Sequence, residues 1–290
     1  MNNTKHRLII IIFLFLQNFF VAQSKYFYYE ISTDSSRAYI FGSIHFGRAE
    51  WFPFESNIED AFSRSDLLAT EVDMNSINHL SFLSRMFAND TIDLKYKLKP
   101  ENYKKVFKRL KELGLDESSI KRLRPWFVAF SLQRQEILQG EINAQNGVDL
   151  YFTKKANQTS KPIVGLEEVD FQLNLVEKFD CCADEIIENI EEQELTDQKI
   201  NDIIQAWLNG DDQKINDLLN DVDQTSEQYQ NILHEILYKR NESFANSIEA
   251  LLKDKKQCFI VIGAAHLVGN NSVIEYLKTN NRKYKITRIK

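Results

Sequence analysis

Proline and glycine are scarce in this chain, four and nine among 290 residues. That scarcity argues against an all-β fold, whose turns consume both, and against long linkers. Cysteine is scarcer still: Cys181, Cys182 and Cys258. An odd number excludes a fully paired disulfide framework, and the spacing matches no zinc pattern. Cys258 heads an apolar run and reads as a buried small side chain; Cys181 and Cys182 either pair with each other or stay free. No His-Glu-x-x-His is present, which excludes a zincin. Basic residues are outnumbered, 36 Lys and Arg against 42 Asp and Glu, a net charge of −6, so nucleic acid is a poor partner.

Long apolar runs are missing too, apart from the start. Lys5 and Arg7 precede Leu8 to Leu16, nine residues without a polar side chain, and Ala22-Gln-Ser24 follows. A short basic start, an apolar stretch and small residues make a secretory signal peptide over residues 1–23, cleaved between Ala22 and Lys25; an uncleaved N-terminal membrane anchor is the alternative. The run is too short for a spanning helix, so no stable membrane span is expected after cleavage. No cysteine lies near the cleavage region, which argues against a lipoprotein. The expected location is secreted or periplasmic. The remaining chain, 24–290, reads as a single domain, and losing Lys5 and Arg7 takes its charge to about −8.

What stands out is a repeated string. Ala38-Tyr-Ile-Phe-Gly42-Ser-Ile-His45-Phe-Gly lies near the start, and Cys258-Phe-Ile-Val-Ile-Gly263-Ala-Ala-His266-Leu-Val-Gly near the end. Each is an apolar run, Gly, two residues, then His. The runs read as buried strands. Gly42 and Gly263 permit a sharp turn or the close approach of another backbone. In open α/β sheets ligands bind beyond the carboxyl ends of strands, so two such strands side by side aim both imidazoles at one crevice.

Around this pair the pattern predicts strands over 26–31, 37–41, 66–73, 161–168 and 284–289. It predicts helices over Ser56–Arg64, with Ser56 and Glu59 as a capping box, and over Pro100–Leu113, Pro125–Leu138, Val148–Asn157 and Ser272–Thr279. Residues 226–252 read as one long helix or two abutting ones. The fold class is α/β (α+β): a mixed central sheet built from two strand-Gly-x-x-His-helix halves, 24–75 and 256–290. A mostly helical region, 76–255, lies between them, with a short strand near 162–166. The two halves suggest a weak internal duplication.

Four ionisable residues lie at or just past strand ends: His45, Glu71, Glu167 and His266. Leu67, Ala69, Glu71 and Asp73 share one face by the two-residue period. Two imidazoles and a carboxylate make a common divalent-metal site with open positions, so His45, His266 and Glu71 are the candidate ligands. Such a metal lowers the pKa of bound water, and a second carboxylate, Glu167, takes the proton. By local sequence alone, Gly147-Val-Asp149 is an ordinary helix start and Arg240-Asn241 an exposed helix face.

Taken in order, the segments Tyr39–His45, Leu68–Glu71, Gly147–Asp149, Lys161–Glu167 with Gln172, Arg240-Asn241 and Val261–Leu267 with Gly269 resemble the TraB/GumN family, which includes pheromone-shutdown proteins and the Tiki metalloproteases. The resemblance implies an α/β fold whose two Gly-x-x-His motifs, a Glu and an Arg converge on one site. It implies divalent-metal chemistry, with manganese or cobalt preferred over a dedicated zinc site. Arg240 takes the family's arginine position, where it is expected to stabilise an oxyanion. Tethering through a C-terminal membrane anchor of the Tiki kind is not expected. The expected function is an exported metal-dependent hydrolase acting on a peptide or protein. The alternative is a non-catalytic protein that binds a peptide, a small ligand or haem in the same crevice.

Overall fold

The computed structural model describes residues 25–137, 142–192, 197–220, 226–254, 256–280 and 284–290. The expected signal segment lies outside them. Six strands form one mixed sheet: β1 (Tyr28–Ser32), β2 (Arg37–Ser43), β3 (Leu67–Thr70), β4 (Ile163–Gly165), β5 (Cys258–Gly263) and β6 (Lys285–Arg288), in the order β4-β3-β5-β2-β1-β6. The first four of that order run parallel; β1 pairs antiparallel with both β2 and β6. The α/β class is thus realised, with a large helical region between β4 and β5.

The central strand comes from the end of the chain. β5 is covered on both faces, as its unbroken apolar run requires. It lies between β2 and β3, so the two Gly-x-x-His strands are neighbours. They are not in identical register: Ser43, not Gly42, sits opposite Gly263. Beyond the strands they diverge. Ala264–Leu267 forms a 3-10 turn, whereas the chain after β2 bridges to Asn143 through Gly47.

Neither Gly42 nor Gly263 adopts a positive φ. Of the two uses a glycine offers here, the structure takes close approach. A Cβ on Gly42 would lie 2.6 Å from the Phe27 Cβ and 3.2 Å from the Ala264 Cα. A Cβ on Gly263 would lie 3.2 Å from a Glu71 oxygen. Trp207 fixes the same strand end by donating its indole N–H to the Gly42 carbonyl at 2.8 Å.

Two apolar cores result. One packs both faces of the sheet around Phe41, Phe152, Trp207 and Phe259. The other is helical, built around Leu94, Val106, Trp126 and Ile186.

Several local expectations shift. Helix Ser56–Arg64 starts at Ser56, but no side chain caps it. Glu59 turns inward and accepts from the Phe54 N–H and the Tyr151 hydroxyl, and it pairs with Lys155; these buried donors outcompete the capping box. β3 ends at Thr70, because the Thr70 hydroxyl bonds the Val72 carbonyl and turns the chain. Glu71 therefore lies past the strand rather than on its face. Residues 226–252 form two helices, Glu227–His234 and Arg240–Lys253, joined by a π-helical turn over Glu235–Lys239. The three cysteines are free thiols, with the Cys181 and Cys182 sulfurs 2.9 Å apart.

Candidate functional site

The four parallel strands end along one edge of the sheet. In spatial order the residues just beyond them are Glu167 after β4, Glu71 after β3, His266 after β5 and His45 after β2. One edge thus gathers side chains drawn from positions 45 to 266, the carboxyl-end placement expected of an α/β site.

His266 is buried, 4 % exposed, within the 3-10 turn after β5. Its Nδ1 lies 2.6 Å from the Asn241 Oδ1. The Asn241 amide nitrogen donates to the Asn271 carbonyl at 2.7 Å, which fixes the amide with its oxygen toward the ring. An oxygen can only accept, so Nδ1 carries the proton and the Nε2 lone pair is free. Nε2 stands 3.8 Å from a Glu71 oxygen. The Phe244 ring meets the imidazole edge-on at 5.1 Å. Burial pushes His266 down to about 4, against the pull of Glu71.

His45 differs. Its side chain is 70 % exposed, on the wall of the cavity. Its Nδ1 faces the Asp149 Oδ1 at 3.2 Å. Asp149 is brought there by the start of helix Val148–Gln158: the Val148 N–H donates to the Ile44 carbonyl, and Gly147 packs on the His45 carbonyl so closely that a Cβ would lie 2.9 Å from its oxygen. The Asp149 carboxylate pushes the His45 imidazole up to about 9. His266 is thus held through Nδ1 by an amide, whereas His45 has a carboxylate beside its Nδ1 at ion-pair distance.

Glu71 is the hub. One oxygen accepts the Gly263 N–H at 2.8 Å; the other accepts from Arg240 at 2.6 Å and from the Gln172 amide at 3.3 Å. Burial alone would raise its pKa, but His266, Arg240 and His45 outweigh it and hold the carboxyl near 2. Arg240 is 4 % exposed and spends its donors on Glu71, on both oxygens of Glu167 and on the Ile236 carbonyl at 3.1 Å. Ile236 lies within the π-helical turn. Glu167 is buried with Arg240, and burial pushes its pKa up against the arginine's pull. Arg240 and Glu167 accordingly brace Glu71 from behind and do not line the cavity.

The cavity itself is about 260 Å³, lined by His45, Glu71, Asp149 and Gln172 with Ser43, Thr70 and Met74. Asp149, Gln172 and Asn241 were legible only as parts of motifs, with no local signal for what they touch. The donor chemistry at this edge suits a divalent ion: the Nε2 lone pair of neutral His266, the Glu71 carboxylate, and His45 once a metal displaces its proton. Among the described residues, however, no three His, Cys, Asp or Glu side chains stand close enough together to grip an ion as placed.

The fold and the site together define an α/β protein with paired Gly-x-x-His strand ends and an Arg-braced glutamate between them. The TraB/PrgY/gumN family matches residues 27–288, and the chain belongs to that family. No curated protein and no solved structure matches it. Among the described residues no helix is long and apolar enough to cross a membrane.

Proposed function

We propose that this protein is a divalent-metal-dependent hydrolase acting on peptide bonds, with His45, His266 and Glu71 holding the metal. The observation that carries this is the convergence of His45, Glu71 and His266 along one strand edge, with the His266 tautomer set by Asn241. Passive binding needs no such control of tautomer, whereas metal ligation does. A bound divalent ion would supply Lewis-acid polarisation of a carbonyl and a more acidic water.

The chain's own residues divide the rest of the work. Asn241 fixes the His266 ring, and Asp149 stands beside His45. Arg240 keeps Glu71 ionised and aimed at the site, and Glu167 neutralises Arg240 in turn, so both are positioning residues in this scheme. His45, the exposed member, faces the substrate. The cavity volume falls below the ~300–1,000 Å³ of ordinary ligand pockets, which suits a side chain or two of an extended peptide better than a haem.

Purified protein is expected to cleave unstructured peptides when manganese or cobalt is added. His45→Ala and His266→Ala should each abolish cleavage. Activity that survives chelator, or either substitution, overturns the proposal; metal-loaded protein that returns its peptide intact makes it a binding protein instead.

A further inference from the structure

A second surface separates itself by charge. Residues 95–122 carry ten Lys or Arg against four Asp or Glu, a net charge of +6 in a chain whose total is −6. The segment forms the turn Leu94–Tyr96, helix Pro100–Glu112 and helix Glu117–Arg122, which pack against one another. Val106 and Leu110 point into the helical core, and Asn102 is buried with them. Lys104, Lys108 and Lys111 recur at the spacing of the opposite helix face and are exposed. Lys97, Lys99, Arg109 and Lys121 are held in ion pairs; Lys104, Lys108 and Lys111 form none among the described residues.

Exposed apolar side chains lie just before this helix. Tyr96 is 74 % exposed near the start of helix Pro100–Glu112, with Lys95 over its ring. Ile92, also exposed, precedes the turn. A solvent-facing helix with unpaired lysines and exposed apolar residues beside its start has the composition of an interfacial surface: the lysines reach anionic headgroups while the apolar groups enter the boundary below them.

We infer that this face docks the protein peripherally on an anionic lipid bilayer. A nucleic acid fits less well, since it offers no apolar layer to Tyr96 and Ile92.

The test uses the chain from Lys25, which contains all six strands and both cores and omits the apolar run at 8–16, a membrane binder in its own right. Sedimentation with vesicles of phosphatidylcholine containing roughly 30 % phosphatidylglycerol is compared with pure phosphatidylcholine, at low and high salt. The expected result is binding to the anionic vesicles alone, lost at high salt. Each basic side chain at such a surface is worth roughly five-fold in partition, so Lys104→Glu/Lys108→Glu/Lys111→Glu should weaken it at least roughly 100-fold. Ile92→Ser/Tyr96→Ser should weaken binding several-fold with the salt dependence intact. Equal partition to both vesicle types, no binding at low salt, or a triple variant that binds like the parent overturns the inference. So does salt-sensitive binding to an oligonucleotide or acidic peptide without vesicle binding.

Discussion

At the scale of single residues, the buried charges decide most. Arg240 is almost wholly buried and satisfies two carboxylates. Removing it leaves Glu71 and Glu167 facing each other without a cation, so Arg240→Leu should destabilise the protein by about 3–5 kcal/mol in urea unfolding. Arg240→Leu/Glu167→Gln should recover part of that loss, because one of the stranded carboxylates is gone. Asn241 makes a different demand. Asn241→Leu releases the His266 tautomer, and manganese affinity measured by calorimetry should fall roughly 10–100-fold. In the metal-free protein, the nitrogen spectrum of His266 should show Nδ1 protonated before the substitution and mixed tautomers after it.

The same histidines set the pH response of the metal-free protein. His45 has its pKa raised from 6.5 to about 9, so its contribution is complete below 6.5 and is lost as pH rises through 9. His266 is lowered to about 4 and resists charging, so stability also declines as pH falls from 6.5 toward 4. Glu71, held near 2, adds a further loss below its ordinary 4.5. Urea midpoints should therefore peak near pH 6.5, and His45→Asn should flatten only the alkaline side.

At the scale of elements, the strand ends are where sequence and structure agree best. The runs ending at Gly42 and Gly263 are apolar, made largely of aromatic and β-branched residues and bounded by glycine, so local composition alone marks them as buried strands. That they lie side by side is a property of the sheet. What stayed hidden was set by packing. Glu59 looked like a capping residue because its real partners, Tyr151 and Lys155, arrive from a helix some 90 positions later. Asp149 looked like a helix cap because nothing near it in sequence announces His45. Arg240 looked exposed because Glu71 and Glu167 are distant in the chain. Charged groups satisfied only by long-range partners leave no local trace. The two glycines should separate stability from site geometry. Gly42→Ala drives a methyl into the Phe27 Cβ and the Ala264 backbone, and should cost about 1–3 kcal/mol of stability. Gly263→Ala meets only the Glu71 and His266 side chains, at 3.2 and 3.4 Å, so manganese affinity should fall more than stability does.

At the scale of the whole molecule, the chain closes on itself: β1 and β2 from its first part pair with β6 and β5 from its last. If the site holds metal as proposed, occupancy stabilises the entire fold. Manganese at 100 times its dissociation constant should raise the unfolding free energy by about 2.7 kcal/mol, and the His45→Ala/His266→Ala protein should show no such gain. Calorimetric scans with and without the ion check this.

The central placement of β5 also has a biosynthetic side. The strand that lies between β2 and β3 is the last but one to be synthesised. Roughly 190 residues separate the end of β3 from the start of β5, which at ordinary elongation rates is about 10–40 s of synthesis. A chain that stops before β5 cannot cover the edges of β2 and β3 with which β5 pairs, and unpaired strand edges are sites of aggregation. Adding the last strands both closes the sheet and brings His266 to the border that carries His45 and Glu71.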